Sequence, residues 1–344
     1  MSSNSPNLKD YSLASLRDRF SEEGIPAYRA NQVMAWLYQR DVDDLDLMTD
    51  LSVELRAALA ERYETRAVEV AQADQSSDGT RKLALTTHEG HRIEAVIIPE
   101  ARRNTLCIST QVGCPLACDF CATGTMGLTR NLTTAEIVDQ VCRAKGCLDE
   151  EDGVISNVVF MGMGEPLLNL AAVKEAIAIM TDPRGMALAP RRITVSTAGV
   201  VPRIPELIEI GPINLAVSLH ATTNEVRDVL VPINRKFPLE VLLETLRKDP
   251  NVNKKRPVFF EYTLLEGMND SLEDADRLPD LVRGIPCKIN LIPANPHPGS
   301  RYRAPEQDVM DRFAARVHEH GMRVTLRRSR GADIAAACGQ LANA

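Results

Sequence analysis

Residues 106–121 read Leu106-Cys107-Ile108-Ser109-Thr110-Gln111-Val112-Gly113-Cys114-Pro115-Leu116-Ala117-Cys118-Asp119-Phe120-Cys121. The stretch opens as a short apolar run, Leu106 to Ser109, that reads as a strand. It passes directly into a loop carrying three thiols at spacings of four and three. Iron–sulfur clusters are held by closely spaced cysteine thiolates, and a fully ligated 4Fe-4S cluster takes four. Three thiols leave one iron without an obvious protein ligand, the open position a metal centre needs in order to act on a bound molecule. A zinc site or a set of reduced core thiols is the plainer alternative.

Outward from that strand, β-rich apolar runs alternate with helical patterns. The runs are Leu106 to Ser109, Asn157 to Met161, Ile193 to Ser196, Ile213 to Leu219, Val258 to Thr263, Lys288 to Ile292 and Arg323 to Leu326. Helical periodicity falls near Thr133 to Lys145, Leu170 to Met180, Val201 to Ile210, Leu239 to Lys248, Leu272 to Val282 and Glu306 to His320. Regular alternation implies βαβ units and a parallel sheet, so the fold class is α/β, with residues 101–328 expected as a partial (β/α)6 barrel. Thr133-Thr134-Ala135-Glu136 is a capping box before an apolar-periodic run. Upstream, residues 1–7 are small and polar and are expected to be disordered. Residues 8–65 read as a helical accessory domain with helices at Ser12 to Glu22, Ala30 to Gln39 and Ser52 to Arg62. Alternation at 82–86 and 92–98 suits an antiparallel β-extension within 66–100, and residues 329–344 form a Gly- and Ala-rich tail.

A chain of 344 residues accommodates one large core with a small appendage. With 44% hydrophobic and 25% charged residues, wholesale disorder is excluded. The start MSSNSPNLKD is neither basic nor apolar, and no segment approaches the roughly 18 apolar residues of a membrane span, so a cytoplasmic protein is expected. Three cysteines crowded into one loop point to a reducing compartment and to metal binding or catalysis, not to a secreted disulfide framework. The net charge of −7 does not announce a nucleic-acid partner. Local basic clusters at Arg102-Arg103, Arg191-Arg192, Arg235-Lys236, Lys254-Lys255-Arg256, Arg301 with Arg303, and Arg327-Arg328 with Arg330 read most simply as solvated faces, taken one at a time.

The pattern C-x3-C-x-Φ-C, with Phe120 as the aromatic, resembles the signature loop of the radical S-adenosylmethionine (SAM) superfamily. The resemblance implies that Cys114, Cys118 and Cys121 hold a 4Fe-4S cluster whose fourth iron is chelated by the amino and carboxylate groups of SAM. Gly162-Met163-Gly164-Glu165-Pro166-Leu167, after the apolar Val158-Val159-Phe160, resembles the turn that holds the SAM amino group, giving roles to Gly164 and Glu165. The segments 195–199 (VSTAG), 216–221 (AVSLHA), 292–296 (IPANP) and 330–341 (RGADIAAACGQL) resemble the RlmN type of adenine-C2 RNA methyltransferase. By that pattern Ser196, Ser218 and Asn295 contact SAM, with Leu219 and His220 in the same stretch. Glu165, Ser196, Ser218 and Asn295 each fall at the C-terminal end of a different candidate strand, where parallel barrels place their sites. His220 by itself reads equally well as a satisfied core histidine.

A lone cysteine is by default a small buried hydrophobe. The resemblance instead implies that Cys338, in the tail, takes a methyl group from one of two SAM molecules used per turnover. A radical generated from the second SAM activates that methyl group for addition to adenine C2, an electron-poor carbon that polar transfer does not reach. Cys107 then resolves the covalent adduct by attack on the Cys338 sulfur, and Glu94 is the implied proton acceptor, although its plain reading is an exposed strand glutamate. Cys142, Cys147 and Cys287 read as structural thiols, and Met161 and Met163 as packing. The implied substrates are a 23S rRNA adenosine at the peptidyl-transferase centre and the tRNA adenosine 3′ of the anticodon. The helical domain would dock RNA, and the arginines from Arg323 to Arg330 would guide the base. A flavodoxin- or ferredoxin-type reducing partner and a monomer are expected. The alternatives are a C8-directed relative, a radical SAM enzyme with a non-RNA substrate, and a zinc-stabilised RNA-binding module.

Overall fold

The structure, a computed structural model, describes residues 5–101 and 103–342. Most of the expected disordered tail, and Arg102 of the first basic pair, lie outside the described residues. The chain opens with α1 (Leu13–Glu22), α2 (Arg29–Tyr38) and α3 (Val53–Arg62). Ser12 and Ser52 start α1 and α3 by accepting the amides of Ser15 and Leu55, which satisfies a helix-end donor in each case. Ordered chain begins earlier than expected: the Pro6 carbonyl accepts from the Glu64 amide at 3.0 Å, and Asn7 Nδ2 donates to the Arg66 carbonyl at 2.7 Å.

Then come β1 (Val68–Gln75), β2 (Arg81–Thr87), β3 (Arg92–Glu100), β4 (Arg103–Cys107), β5 (Gln111–Cys114), α4 (Ala122–Thr125), β6 (Gly127–Asn131) and α5 (Thr134–Lys145). The chain continues through β7 (Val154–Phe160), α6 (Leu170–Thr181), β8 (Ile193–Thr197), α7 (Ile204–Ile208), β9 (Asn214–Ser218), α8 (Asn224–Leu230) and α9 (Leu239–Lys248). It ends with β10 (Val258–Leu264), α10 (Leu272–Leu281), β11 (Cys287–Pro293), α11 (Gln307–Glu319) and β12 (Val324–Leu326).

Strands β4, β7, β8, β9, β10, β11 and β12 pair in that order, each parallel to the next, and helices cross over between them. Their apolar residues, among them Val158, Val195, Val217, Phe260 and Ile289, are fully buried, as a parallel sheet covered on both faces requires. The antiparallel β1, β2 and β3 extend the same ten-stranded sheet beyond β4. Among the described residues β1 and β12 do not pair, so the barrel stays open on that side. The expected helix from Val201 to Ile210 is instead a 3-10 turn, Val201–Arg203, followed by the short α7. Pro202 and Pro205 lack the amide a continuous helix would need. The β5–β6 hairpin, α4 and α8 were not anticipated.

The helical domain is locked to the barrel through α5. The capping box of Thr133 and Glu136 forms, and Asp10 Oδ1 accepts the Ala135 amide at 2.8 Å in the same first turn, where a carboxylate favours the helix dipole. Farther along α5, Lys9 Nζ lies 2.5 Å from Asp139 Oδ1, with both side chains buried. The other oxygen of Asp139 accepts the amides of Ala67 and Val68 at 2.8 and 3.1 Å, where the chain leaves the helical domain. Removing one partner of such a buried pair strands the other charge, at a cost of roughly 3–5 kcal/mol. Asp139→Asn is therefore expected to lower the urea midpoint by that equivalent, and adding Lys9→Met should restore part of the loss.

Candidate active site

The cysteine loop is the connection of the β5–β6 hairpin: β5 ends on Cys114 and α4 starts just after Cys121. Register slips between Val112 and Gly113, where φ is +80° and a Cβ would fall 1.9 Å from the Gly127 carbonyl oxygen, so only glycine fits. A Cβ on Gly124 would lie 2.8 Å from the Cys118 carbonyl oxygen, which sets how closely α4 backs onto the loop. The Cys121 amide donates to the Cys118 carbonyl at 3.1 Å, and the Gly124 amide donates to that of Cys121 at 3.0 Å. Upstream, fully buried Gln140 of α5 takes the Ser109 amide at 2.8 Å and donates to its carbonyl at 2.9 Å. Backbone contacts thus shape the loop, and amides of Leu116, Thr123 and Gly124 also reach the Cys114 and Cys121 thiols.

The three thiols line a cavity of about 170 Å³. Burial pushes Cys114 up to about 12 and raises Cys118 and Cys121 as well, each of the first two also feeling Cys121. Among the described residues no three His, Cys, Asp or Glu side chains converge on one point as ligands to a single ion would. The thiols are spread around the cavity wall.

Gly164, Glu165, Ser196, Ser218, His220 and Asn295, expected from the sequence, line the same cavity. Gly164, at φ +96°, passes so close to Gln111 that a Cβ would fall 2.5 Å from that side chain. Glu165 is buried. Its Oε2 accepts the Ala198 amide at 2.8 Å and its Oε1 that of Leu167 at 3.1 Å, while burial, acting against those bonds, pushes the carboxyl up to about 7. A cationic amino group beside it would reverse that shift. Leu219, in the same stretch, has its side chain fully buried in the core and is not part of the cavity wall, and its amide donates to the Glu261 carbonyl. His220 sits at φ +57°, and its Nδ1 accepts the Thr263 amide at 3.0 Å, which leaves the proton of the neutral ring on Nε2. Burial, then Arg227, push it down to about 3, and Phe120 of the cysteine loop meets its ring edge-on at 4.8 Å.

Arg227 of α8 is the residue that sequence reasoning missed. It is fully buried, and its guanidinium donates to the carbonyls of Leu219 (2.9 Å), Ala198 (2.7 Å) and Ser218 (2.9 Å) and to Asn234 Oδ1 (2.9 Å). It thereby ties the ends of β8 and β9 together. No motif or spacing marks it, since its partners lie on other elements. Burial pulls it down to about 10, with Cys118 the first opposing influence. A cation buried on neutral acceptors near the Cys118 thiol fits a group that is anionic when the loop thiols are deprotonated, as cysteine-ligated iron–sulfur clusters require.

Cys338 lines this cavity and also a second one of about 610 Å³, whose wall includes Cys107. Both are free thiols. Cys338 is exposed to the cavities yet crowded by their walls, so burial and Glu261 raise its thiol while Arg327 opposes. Burial and the neighbouring Cys338 raise Cys107. The tail is docked by the Ala122 amide on the Gly339 carbonyl (2.8 Å), Asn295 Nδ2 on the Cys338 carbonyl (3.2 Å) and Gln340 Nε2 on the Pro296 carbonyl (2.7 Å). Glu94 is not the exposed strand glutamate of its plain reading. It is buried, with Lys82 Nζ at 3.4 Å and the tail amide of Ala342 donating to it at 3.0 Å, and it lines neither cavity. Met161 lines both cavities, whereas Met163 is core; Cys142, Cys147 and Cys287 line neither. Buried Glu261 borders the first cavity, accepting from Asn290 at 2.8 Å.

Replacing Arg227 by the neutral, similarly long Met removes the donor of four acceptors, a loss of roughly 4 kcal/mol at about 1 kcal/mol apiece. Scanning calorimetry should show a fall of several degrees in Tm, and anaerobic desalting of the reconstituted variant should leave less iron per chain than in the wild type.

Residues 108–278 match the family model of the radical SAM superfamily, and residues 6–65 match that of the ribosomal RNA large subunit methyltransferase N-terminal domain. A dual-specificity RNA methyltransferase RlmN from Geobacter sulfurreducens is 50% identical over 335 residues, covering 97% of this chain and 91% of the relative. One of the same name from Halorhodospira halophila is 51% identical over 323 residues, 94% of this chain and 89% of the relative. The crystal structure of a radical SAM methyltransferase from Sphaerobacter thermophilus superposes with a TM-score of 0.93 at 42% identity, covering 98% of this chain and all of that one. With likeness of this degree running almost end to end, the chain belongs to the RlmN family of dual-specificity RNA methyltransferases within the radical SAM superfamily.

Proposed function

We propose that this chain methylates C2 of an adenine in both ribosomal and transfer RNA, with Cys338 as the methyl carrier. The observation that carries the reading is the place of Cys338, where the cavity of the three cluster thiols meets the cavity that holds Cys107. The rRNA and tRNA substrates follow from membership in a dual-specificity family. Its cofactors are a 4Fe-4S cluster and SAM, which together supply the one-electron chemistry that an unactivated carbon–hydrogen bond demands.

In this reading Cys114, Cys118 and Cys121 hold the cluster. Glu165 receives the SAM amino group, and Ser196, Ser218, His220 and Asn295 surround the rest of that molecule. Cys338 gives up its proton and accepts a methyl group by displacement at carbon, forming one S–C bond as the sulfonium S–C bond breaks. Facing the second cavity as well, the same sulfur can present its carbon to a base without the tail moving far. Glu94 takes the proton released from the adenine. A proton on that carboxyl weakens its hold on Lys82 and the Ala342 amide, which links the proton step to tail release. Once the S-methyl carbon has lost one hydrogen to the cofactors' one-electron chemistry and bonded C2 in place of the C2 proton, the Cys107 thiolate attacks the Cys338 sulfur; an S–S bond forms as the S–C bond breaks, the released carbon takes up a proton to become the methyl group, and a thiol reductant resets the pair.

The helical domain, residues 8–65, docks RNA; its support is the match to a ribosomal RNA methyltransferase N-terminal domain. A flavodoxin- or ferredoxin-type electron donor, a monomeric state and a cytoplasmic location complete the proposal. Among the described residues no helix is long and apolar enough to cross a membrane.

Peptide mass spectrometry of protein incubated with SAM alone should find a methyl group on Cys338, and Cys338→Ala should abolish RNA methylation. Cys107→Ala should accumulate a covalent protein–RNA species, seen as a slow band on a denaturing gel that nuclease collapses. NMR of the modified nucleoside should place the methyl at C2; a C8 product would move the chain's activity to the C8-directed alternative, and turnover by Cys338→Ala would end the carrier role.

A further inference from the structure

We infer that Arg191 and Arg192, on the wall of the second cavity, form a phosphate clamp that grips the RNA backbone beside the base delivered to Cys338. The inference rests on the RNA-methyltransferase reading above and assigns residues that reading leaves without a role.

The second cavity runs along the inside of the open barrel. Cys107 and Cys338 lie toward the C-terminal ends of the parallel strands, whereas Arg191 and Arg192 stand just before β8, at the opposite edge of the sheet. A five-residue strand spans about 17 Å, so these arginines reach the backbone flanking a base at Cys338 and not the base itself. Five arginines, Arg191, Arg192, Arg327, Arg328 and Arg330, line the cavity against one acidic residue, Glu100. In a chain of net charge −7 that concentration of one sign is a local exception, and a cavity focuses its field.

The backbone of the pair and the Arg192 side chain are also held in place, unlike ordinary surface cations, while the Arg191 side chain is left uncommitted. Pro190 fixes the first position of the 3-10 turn Pro190–Arg192. Asn214 Nδ2 donates to the Arg191 carbonyl at 2.8 Å, which anchors that backbone to the start of β9. Arg192 donates from Nη1 to Asn157 Oδ1 at 3.1 Å, fixing the plane of its guanidinium. The Arg191 guanidinium has no partner among the described residues. A preset, planar, doubly donating cation is what bidentate phosphate recognition needs, and holding it in advance lowers the entropy lost on binding. Among the described residues neither arginine makes a salt bridge, although Glu100 lines the same cavity.

The test compares wild type, Arg191→Lys, Arg191→Ala and Arg191→Ala/Arg192→Ala in binding an unmodified tRNA transcript by fluorescence anisotropy over a range of salt. Methyl uptake on Cys338 from SAM, read by mass spectrometry without RNA, reports whether the fold and the SAM cavity survive. The double variant should bind at least tenfold more weakly and lose about 0.7 in the slope of log K against log salt for each phosphate contact removed, while Cys338 takes up methyl as before. Arg191→Lys should keep the slope and lose part of the affinity. Unchanged affinity and slope in the double variant would overturn the clamp, as would loss of Cys338 methylation, which would assign the pair to the SAM cavity or to folding. If the wild type bound no transcript, the RNA reading itself would fail, an outcome distinct from both.

Discussion

A guanidinium taken fully out of water must replace every hydrogen bond it gives up, and Arg227 does so with carbonyls that close the ends of two neighbouring strands. Parallel strands end in loops whose carbonyls would otherwise point into the cavity unpaired. By collecting those of Ala198, Ser218 and Leu219, one side chain sets where Ser196, Ser218 and His220 stand relative to the cysteine loop. Among the described residues no carboxylate bonds the guanidinium directly; Cys118 favours its charge most, then Asp228, which Asn234 links to it. Stability and cofactor binding are therefore coupled at this position: the cation is costly in a protein of protonated thiols and favourable in one whose thiolates carry iron.

The tail meets the opposite demand. It has little regular structure, and its hold depends on bonds to separate elements: Ser76 Oγ and the Ser77 amide on Asp333, Ala122 on Gly339, Asn295 on Cys338 and the Ala342 amide on Glu94. Gly331, at φ +65° with a Cβ position 2.9 Å from Thr80, lets the chain turn against the β1–β2 connection. These bonds fill the gap that β1 and β12 leave open, and they do so with single hydrogen bonds in place of a ladder. A segment that must accept a methyl group on one side and meet a base on the other benefits from being held by contacts that break one at a time.

Much of this was legible in the sequence because it was local. The alternation of apolar runs gave seven parallel strands near their expected positions, the Thr133–Glu136 box marked the start of α5, and three thiols in eight residues marked the cluster loop. What was hidden is long-range. Glu94 looks like one more residue of an alternating strand until Lys82 and the far tail enclose it. Gln140 looks like a surface position of an amphipathic helix until it closes on Ser109. Leu219 carries a motif position yet faces the core, because a pattern fixes the backbone path and not which side chain turns toward the ligand. The β5–β6 hairpin escaped notice since strands of four and five residues with a bulge leave no periodicity to read.

The two cavities also explain why a negatively charged protein can act on a polyanion. The cavity with the thiols is small, and the one arginine on its described wall, Arg327, lies 3.7 Å from the buried Glu261, so it offers a nucleic-acid backbone little to hold. The second cavity is larger, lined by arginines, and shares with the first a wall that includes Cys121, Met161, Asn295, Arg327, Cys338 and Gly339. Chemistry that water or stray thiols would quench is thus kept on one side of the tail and polyanion binding on the other. The Cys338 sulfur, carried on the tail, has access to both, and that access is what the carrier role asks of this arrangement of strands.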